Sequence, residues 1–124
     1  MGNWASFQTD TDGDGVFSSA ETVTGSFNQA NEILSLVKDS VTTPFSWDDA
    51  GNLEDDGEFE FVHDAWNRLV KATDKASSTV VGRYGYNGLH HRVWKEADTA
   101  RAQGSSPDGI DEKRVFYYDP NWRI

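Results

Sequence analysis

The sequence predicts a mainly helical single domain spanning residues 1–124. Three segments carry apolar residues at alternating steps of three and four positions, which is the period of an amphipathic helix. The predicted helices cover residues 19–40, 55–77 and 89–102. Their apolar positions are Val23, Phe27, Ala30, Leu34 and Val37, then Phe59, Val62, Trp66 and Leu69, and finally Leu89, Val93 and Ala97. A short β-branched run at residues 79–81 predicts a strand.

Charge is distributed unevenly along the chain. The 124 residues include 21 acidic and 11 basic side chains, a formal net charge of −10. Residues 1–62 hold 13 acidic residues against Lys38 alone, a net charge of −12, whereas residues 63–124 are close to neutral. An acidic half of this strength repels phosphate backbones and anionic membranes. We therefore expect no nucleic-acid binding and no stable membrane association.

The chain contains no cysteine, which excludes disulfides, thiolate nucleophiles and cysteine-ligated zinc. It also lacks an apolar run long enough to span a bilayer and a basic-then-apolar signal peptide. Together these features predict a cytoplasmic location. The N-terminal residues fit the loose pattern for myristoylation at Gly2, and the alternative is an ordinary start methionine followed by packed aromatic residues.

Residues 10–21 carry the spacing of a calcium-binding loop. Carboxylates occupy loop positions 1, 3, 5 and 12, and Gly15 at position 6 suits the bend with positive φ that such a loop needs. Oxygen ligands of this number favour calcium, since magnesium demands tighter octahedral geometry. The predicted ligands are Asp10, Asp12, Asp14 and Glu21 through their carboxylates, Val16 through its carbonyl, and Ser18 through a water molecule.

With these residues, the sequence resembles the EF-hand superfamily of calcium-binding proteins. The resemblance implies helix–loop–helix units that work in pairs, with short β pairing between their loops. The entering side departs from the family pattern, because only nine residues precede Asp10. The chain is also similar to calcium-binding proteins of the sarcoplasmic and calerythrin type, which combine intact loops with degenerate ones. Here loop 10–21 would be the intact loop, and residues 52–63 and 98–112 would be the degenerate ones.

Residues 52–63 resemble a second, degenerate loop that would pair with the first. A weaker metal site there would use Asn52, Glu54, Asp56 and Glu58. His63 stands at position 12, where calcium loops need a carboxylate, so the alternative is a loop that pairs through Phe59 and binds no ion. Residues 98–112 form a possible third remnant, for which the alternative is a simple turn rich in Ser, Pro and Gly.

The sequence therefore predicts calcium-ion binding by a buffer or a calcium-stabilised module. Met1 is the only methionine, whereas sensors that expose an adaptable groove rely on several. The alternative is an accessory subunit in which calcium only locks one loop and the near-neutral second half binds another protein or a second copy. Sequence motifs of nucleophilic or metalloprotease active sites are absent, so we expect no enzymatic activity.

Overall fold

A computed structural model describes residues 4–118, and these residues form a mainly β structure. They contain eleven strands, one four-residue α-helix and one short 3-10 turn. The predicted helical EF-hand fold is therefore wrong. No helix in the described part of the chain has the length and apolar content needed to cross a bilayer. The predicted acylation position, Gly2, lies outside the described residues.

The chain divides into two compact units, Met1–Gly57 and Glu58–Ile124. The prediction that the chain forms a single domain stays a prediction. The first unit contains a four-stranded antiparallel sheet of order β1-β2-β3-β4 and a further antiparallel pair, β5 and β6. Its strands are β1 (Ser6–Gln8), β2 (Thr22–Phe27), β3 (Ile33–Lys38), β4 (Val41–Pro44), β5 (Ser46–Trp47) and β6 (Leu53–Asp55).

The second unit is an antiparallel meander in which each strand pairs with the next. Its strands are β7 (Phe59–His63), β8 (Leu69–Asp74), β9 (Thr79–Tyr86), β10 (Arg92–Ala97) and β11 (Glu112–Val115), and helix α1 (Thr99–Ala102) lies between β10 and β11. The strand predicted at residues 79–81 is confirmed as the start of β9.

The helical prediction failed because chain reversals interrupt what reads as one periodic stripe. Val23 and Phe27 are four positions apart in β2, an even step that also keeps two side chains on one face of a strand. The following odd step, to Ala30, crosses the turn at residues 28–32. Leu34 and Val37 then both lie in β3, where the pairing with β2 is irregular next to Leu34. Steps of three and four thus arose from strands and turns together.

Four turns of five residues share one hydrogen-bond pattern. They cover residues 28–32, 48–52, 64–68 and 87–91. In each, the first residue is Asn or Asp, and its Oδ1 accepts the backbone N–H groups of the third and fifth residues at 2.8–3.1 Å. The fourth residue adopts a positive φ of 59–80°. These fourth residues are Asn31, Gly51, Asn67 and His90, and all four belong to types that are enriched at positive φ.

Arg68 joins two of these turns in the second unit. Its Nε donates to Asp64 Oδ2 at 2.7 Å, and a second guanidinium nitrogen lies 2.6 Å from the same oxygen. A third nitrogen donates to the Asn87 carbonyl at 3.2 Å. The guanidinium also lies 5.0 Å from the ring centre of Trp66 and 4.8 Å from that of Tyr86. Arg68 therefore fixes the turn at 64–68 against the turn at 87–91.

The first testable consequence concerns Asn87. Replacing Asn87 by Ala removes the acceptor of two backbone N–H groups, and we expect the free energy of unfolding to fall by about 1–2 kcal/mol. Asn87→Asp should cost less, because Asp48 and Asp64 make the same bonds in their turns. Urea unfolding followed by circular dichroism measures both. Equal losses for the two variants would contradict this role of Asn87.

The second consequence concerns Gly85, which lies directly opposite Trp94 in the β9–β10 pair. A Cβ atom at Gly85 would overlap the indole ring of Trp94. We expect Gly85→Ala to destabilise the protein by about 1–3 kcal/mol, since the rigid ring must move. Gly88→Ala is the matched control, because a Cβ there meets no atom within 4 Å. The same urea titration checks the pair, and equal stability of the two variants would refute the prediction.

Candidate metal centre

The predicted calcium loop connects two antiparallel strands rather than two helices. β1 ends at Gln8, the loop follows, and the 3-10 turn Ser19–Glu21 leads directly into β2. The Thr9 N–H donates to the Glu21 carbonyl at 3.0 Å, which closes the loop at its base. The EF-hand arrangement of entering and exiting helices is thus replaced by a β-hairpin whose connection is the acidic loop.

Three of the predicted ligands come together in this loop. One carboxylate oxygen from each of Asp10, Asp12 and Glu21 lies within 4.8 Å of the others. Within residues 4–118, this is the one group of three or more acidic, histidine or cysteine side chains arranged in this way. The three residues stand at loop positions 1, 3 and 12, where the spacing placed them.

Backbone hydrogen bonds orient the carboxylates of Asp10 and Asp12. Asp10 accepts the N–H of Gly13 through Oδ1 and the N–H of Gly15 through Oδ2, the latter at 3.0 Å. Asp12 accepts the N–H of Asp14 at 3.1 Å. Gly13 and Gly15 both have φ of 78°, which confirms the bend predicted at Gly15. The glycines let the chain fold back around the carboxylate of Asp10.

Glu21 is the most enclosed member of the group, with 7% of its surface exposed. Its Oε1 accepts the backbone N–H of Thr11 at 2.7 Å and the hydroxyl at 2.8 Å. Its Oε2 accepts the N–H and the hydroxyl of Ser18, both at 3.1 Å. These bonds, chiefly those from the Ser18 and Thr11 backbone, lower the pKa of Glu21 from 4.5 to about 2. The carboxylate is therefore held ionised.

The other predicted ligands of this loop lie outside the group of three. Asp14 accepts the N–H of Val16 at 2.7 Å, and Val16 itself is 67% exposed. Ser18 contacts Glu21 directly. Sequence analysis did not find the role of Thr11, which approaches Glu21 from ten residues away. The contact between Ser18 and Glu21 could have been predicted, because the Ser18-x-x-Glu21 spacing is a capping-box pattern.

The predicted second loop covers the end of the turn at 48–52, strand β6 and strand β7. Asn52 closes the turn at 48–52 and donates through its amide to Asp48 at 2.9 Å. Glu54 lies in β6, and Gly57 has φ of 92° in the turn between β6 and β7. Glu58 forms an ion pair with Arg101. Glu54, Asp56 and Glu58 belong to no group of three converging ligands among the described residues.

The predicted β pairing between the two loops is wrong. Phe17 lies outside any strand, and Phe59 pairs with Asp74 of β8. A tight Asp-Gly turn and alternating residues, which the sequence analysis interpreted as a degenerate loop, lie here with β6 ending at Asp55 and β7 beginning at Phe59. The resemblance at 52–63 reflects this turn chemistry, which places short acidic and glycine residues at similar intervals.

The third predicted remnant, residues 98–112, contains helix α1 and the loop that leads to β11, and two aspartates hold it together. Asp98 is 2% exposed and caps α1 by accepting the Arg101 N–H at 2.9 Å. Its second oxygen accepts the N–H groups of Asp108 at 2.9 Å and Gly109 at 2.8 Å. The backbone bond from Arg101 is the main cause of its lowered pKa. Asp111 similarly accepts the N–H and the hydroxyl of Thr99. These carboxylates thus hold the loop together.

No family model matches this chain, and no curated protein matches its sequence.

The lowered pKa of Glu21 sets a pH window for the loop. Because the pKa in the folded state lies near 2 and the ordinary value is 4.5, Glu21 stabilises the folded loop fully above pH 4.5. This contribution is lost as the pH falls towards 2. Titration of the Glu21 carboxyl carbon by NMR in calcium-free buffer should give a midpoint near 2. The double variant Thr11→Val/Ser18→Ala should raise this midpoint, because both hydroxyl donors to Glu21 are lost. A wild-type midpoint near 4.5 would contradict the hydrogen bonds described for Glu21.

Proposed function

We propose that loop 10–21 binds one calcium ion and that the bound ion stabilises the β1–β2 hairpin. The observation that carries this proposal is the convergence of Asp10, Asp12 and Glu21 within 4.8 Å. The function is that of a calcium-stabilised structural module. Its cytoplasmic location is part of the proposal and rests on the cysteine-free sequence.

The donor set favours a hard cation. All proposed side-chain ligands are carboxylate oxygens, which suit calcium and magnesium and are poor ligands for soft metals. One oxygen of Glu21 lies in the group of three. Each Glu21 oxygen accepts two hydrogen bonds, from Thr11 or from Ser18, so bidentate binding by Glu21 would require calcium to displace some of these donors. Calcium accepts such a bidentate carboxylate and a flexible coordination number, whereas magnesium requires near-octahedral geometry. Calcium is therefore the proposed ion.

Electrostatic repulsion gives the ion its structural effect. Asp10, Asp12, Asp14 and Glu21 place four negative charges in a single twelve-residue loop. The predominantly acidic half of the chain adds to this repulsion, because its only basic residue is Lys38. A divalent cation would halve the charge of the loop and bind the folded form in preference to the unfolded one. Any such preference stabilises the fold.

A second candidate function is that of an accessory subunit, and surface composition favours it. In the second unit, Trp66 is 65% exposed and Leu89 is 62% exposed, and they lie in the two turns that Arg68 joins. Exposed apolar groups of this size are typical of surfaces that meet another protein when they form a patch. A partner or a second copy would cover them, while calcium would only lock the loop. Co-purification of the protein with a stable partner would support this candidate function.

Calorimetry tests the calcium proposal directly. Titrating wild-type protein with Ca²⁺ should give heat that fits one equivalent. Glu21→Gln should weaken binding about tenfold or more, because the most enclosed charged ligand is lost. Asp14→Asn should have a smaller effect than Asp10→Asn, since Asp14 lies outside the group of three.

The matched control is Glu54→Gln, which removes an acid of the predicted second loop without touching loop 10–21. This variant should bind calcium as the wild type does. No heat with wild-type protein would overturn the calcium proposal. A second equivalent that disappears in Glu54→Gln would instead place an additional site at residues 52–63.

A further inference from the structure

Strand β1 has few attachments. It is three residues long, all three residues are exposed, and it forms one edge of the sheet order β1-β2-β3-β4. Its pairing runs from Ser6 opposite Thr24 to Gln8 opposite Thr22. A short, solvated edge strand of this kind belongs to the parts of a fold that open locally at low free-energy cost.

Two backbone hydrogen bonds frame the β1–β2 pair. At the loop end, the Thr9 N–H donates to the Glu21 carbonyl at 3.0 Å. At the other end, the Gly25 N–H donates to the Ala5 carbonyl, also at 3.0 Å. Beyond Ala5, Trp4 packs edge-on against Phe27 with ring centres 5.7 Å apart. The strand is thus held by the loop at one end and by an aromatic contact at the other.

Glu21 connects the strand pairing to the carboxylate group. Its main-chain oxygen receives the Thr9 N–H, whereas its side chain lies with Asp10 and Asp12. Asp10 follows Thr9 directly in the chain. Any force that separates Asp10 from Glu21 therefore also pulls at the bond that closes the base of the hairpin.

We propose that the cation acts as a latch on β1. The inference rests on the proposed calcium binding and adds that the ion controls one specific part of the fold. With calcium bound, the loop holds β1 against β2. Without calcium, repulsion between the carboxylates lowers the free energy needed to open the base of the hairpin. β1 then separates more often, and in those molecules the edge of β2 at Thr22–Gly25 has lost its partner.

Hydrogen exchange tests this latch in the intact wild-type chain. The reporters are the amides of Thr9 and Gly25, whose bonds exist only while β1 is paired. The control is the amide of Asn28, which donates to the Glu32 carbonyl at 2.9 Å in the turn between β2 and β3. Exchange is followed by NMR in calcium at 100 times its dissociation constant and in excess chelator.

We expect calcium to slow exchange at Thr9 and Gly25 by about a hundredfold, which is the linkage effect of a ligand at this excess. Exchange at Asn28 should change by less than about twofold, because its turn survives the loss of β1. In Glu21→Gln, at the same calcium concentration, the slowing at Thr9 and Gly25 should fall to about tenfold or less, in step with the weaker binding. In Glu54→Gln it should remain.

Three other outcomes overturn the latch, and they separate its failure from that of the calcium proposal. Calorimetric binding without slower exchange at Thr9 and Gly25 leaves calcium binding intact and refutes control of β1. Equal slowing at Asn28 also refutes the latch, since the ion then stabilises the whole sheet. Absence of calorimetric heat refutes calcium binding and, with it, the latch.

Discussion

The capture of backbone N–H groups by side-chain oxygens is the interaction on which this structure depends. Asn and Asp close the four related turns, Asp98 holds the loop before β11, and Asp10 and Glu21 shape the acidic loop. Chain reversals leave N–H groups without strand partners, and such groups are costly unless another acceptor replaces the strand. A charged acceptor forms the stronger bond.

These hydrogen bonds give many of the chain's acidic residues a structural role. Among the described residues, Glu21, Asp74 and Asp98 are buried, whereas Ala72 is the one buried apolar residue. Asp74 accepts the N–H and the hydroxyl of Ser77 at 2.9 Å, and Arg101 lies 3.4 Å from its other oxygen. Much of the negative charge thus stabilises turns. Only a small part of the negative charge, the carboxylates of loop 10–21, is proposed to bind a cation.

The sequence supported correct predictions where a residue's local chemistry decides the conformation. The bend at Gly15 follows from its residue type. Of the six predicted ligands in this loop, Asp10, Asp12 and Glu21 come together, and the ligand set as a whole stays a prediction. The helices were wrong because apolar spacing was read across turns whose signal went unrecognised. That signal is an Asn or Asp followed three residues later by a residue suited to positive φ, as at Asn28 and Asn31. Strand pairing partners depend on contacts distant in sequence, so hydrophobic spacing could not supply them.

The related turns also bear on how such a chain can change its length. They begin at residues 28, 48, 64 and 87, at unequal intervals, yet each is closed by its own five residues. Lengthening the strands between two turns by an even number of residues would preserve which side chains share a face. Adding two strands with their turns would keep the direction of the strands that follow, whereas adding one strand would reverse it. The turns at 64–68 and 87–91 would have to be kept together, because Arg68 contacts both.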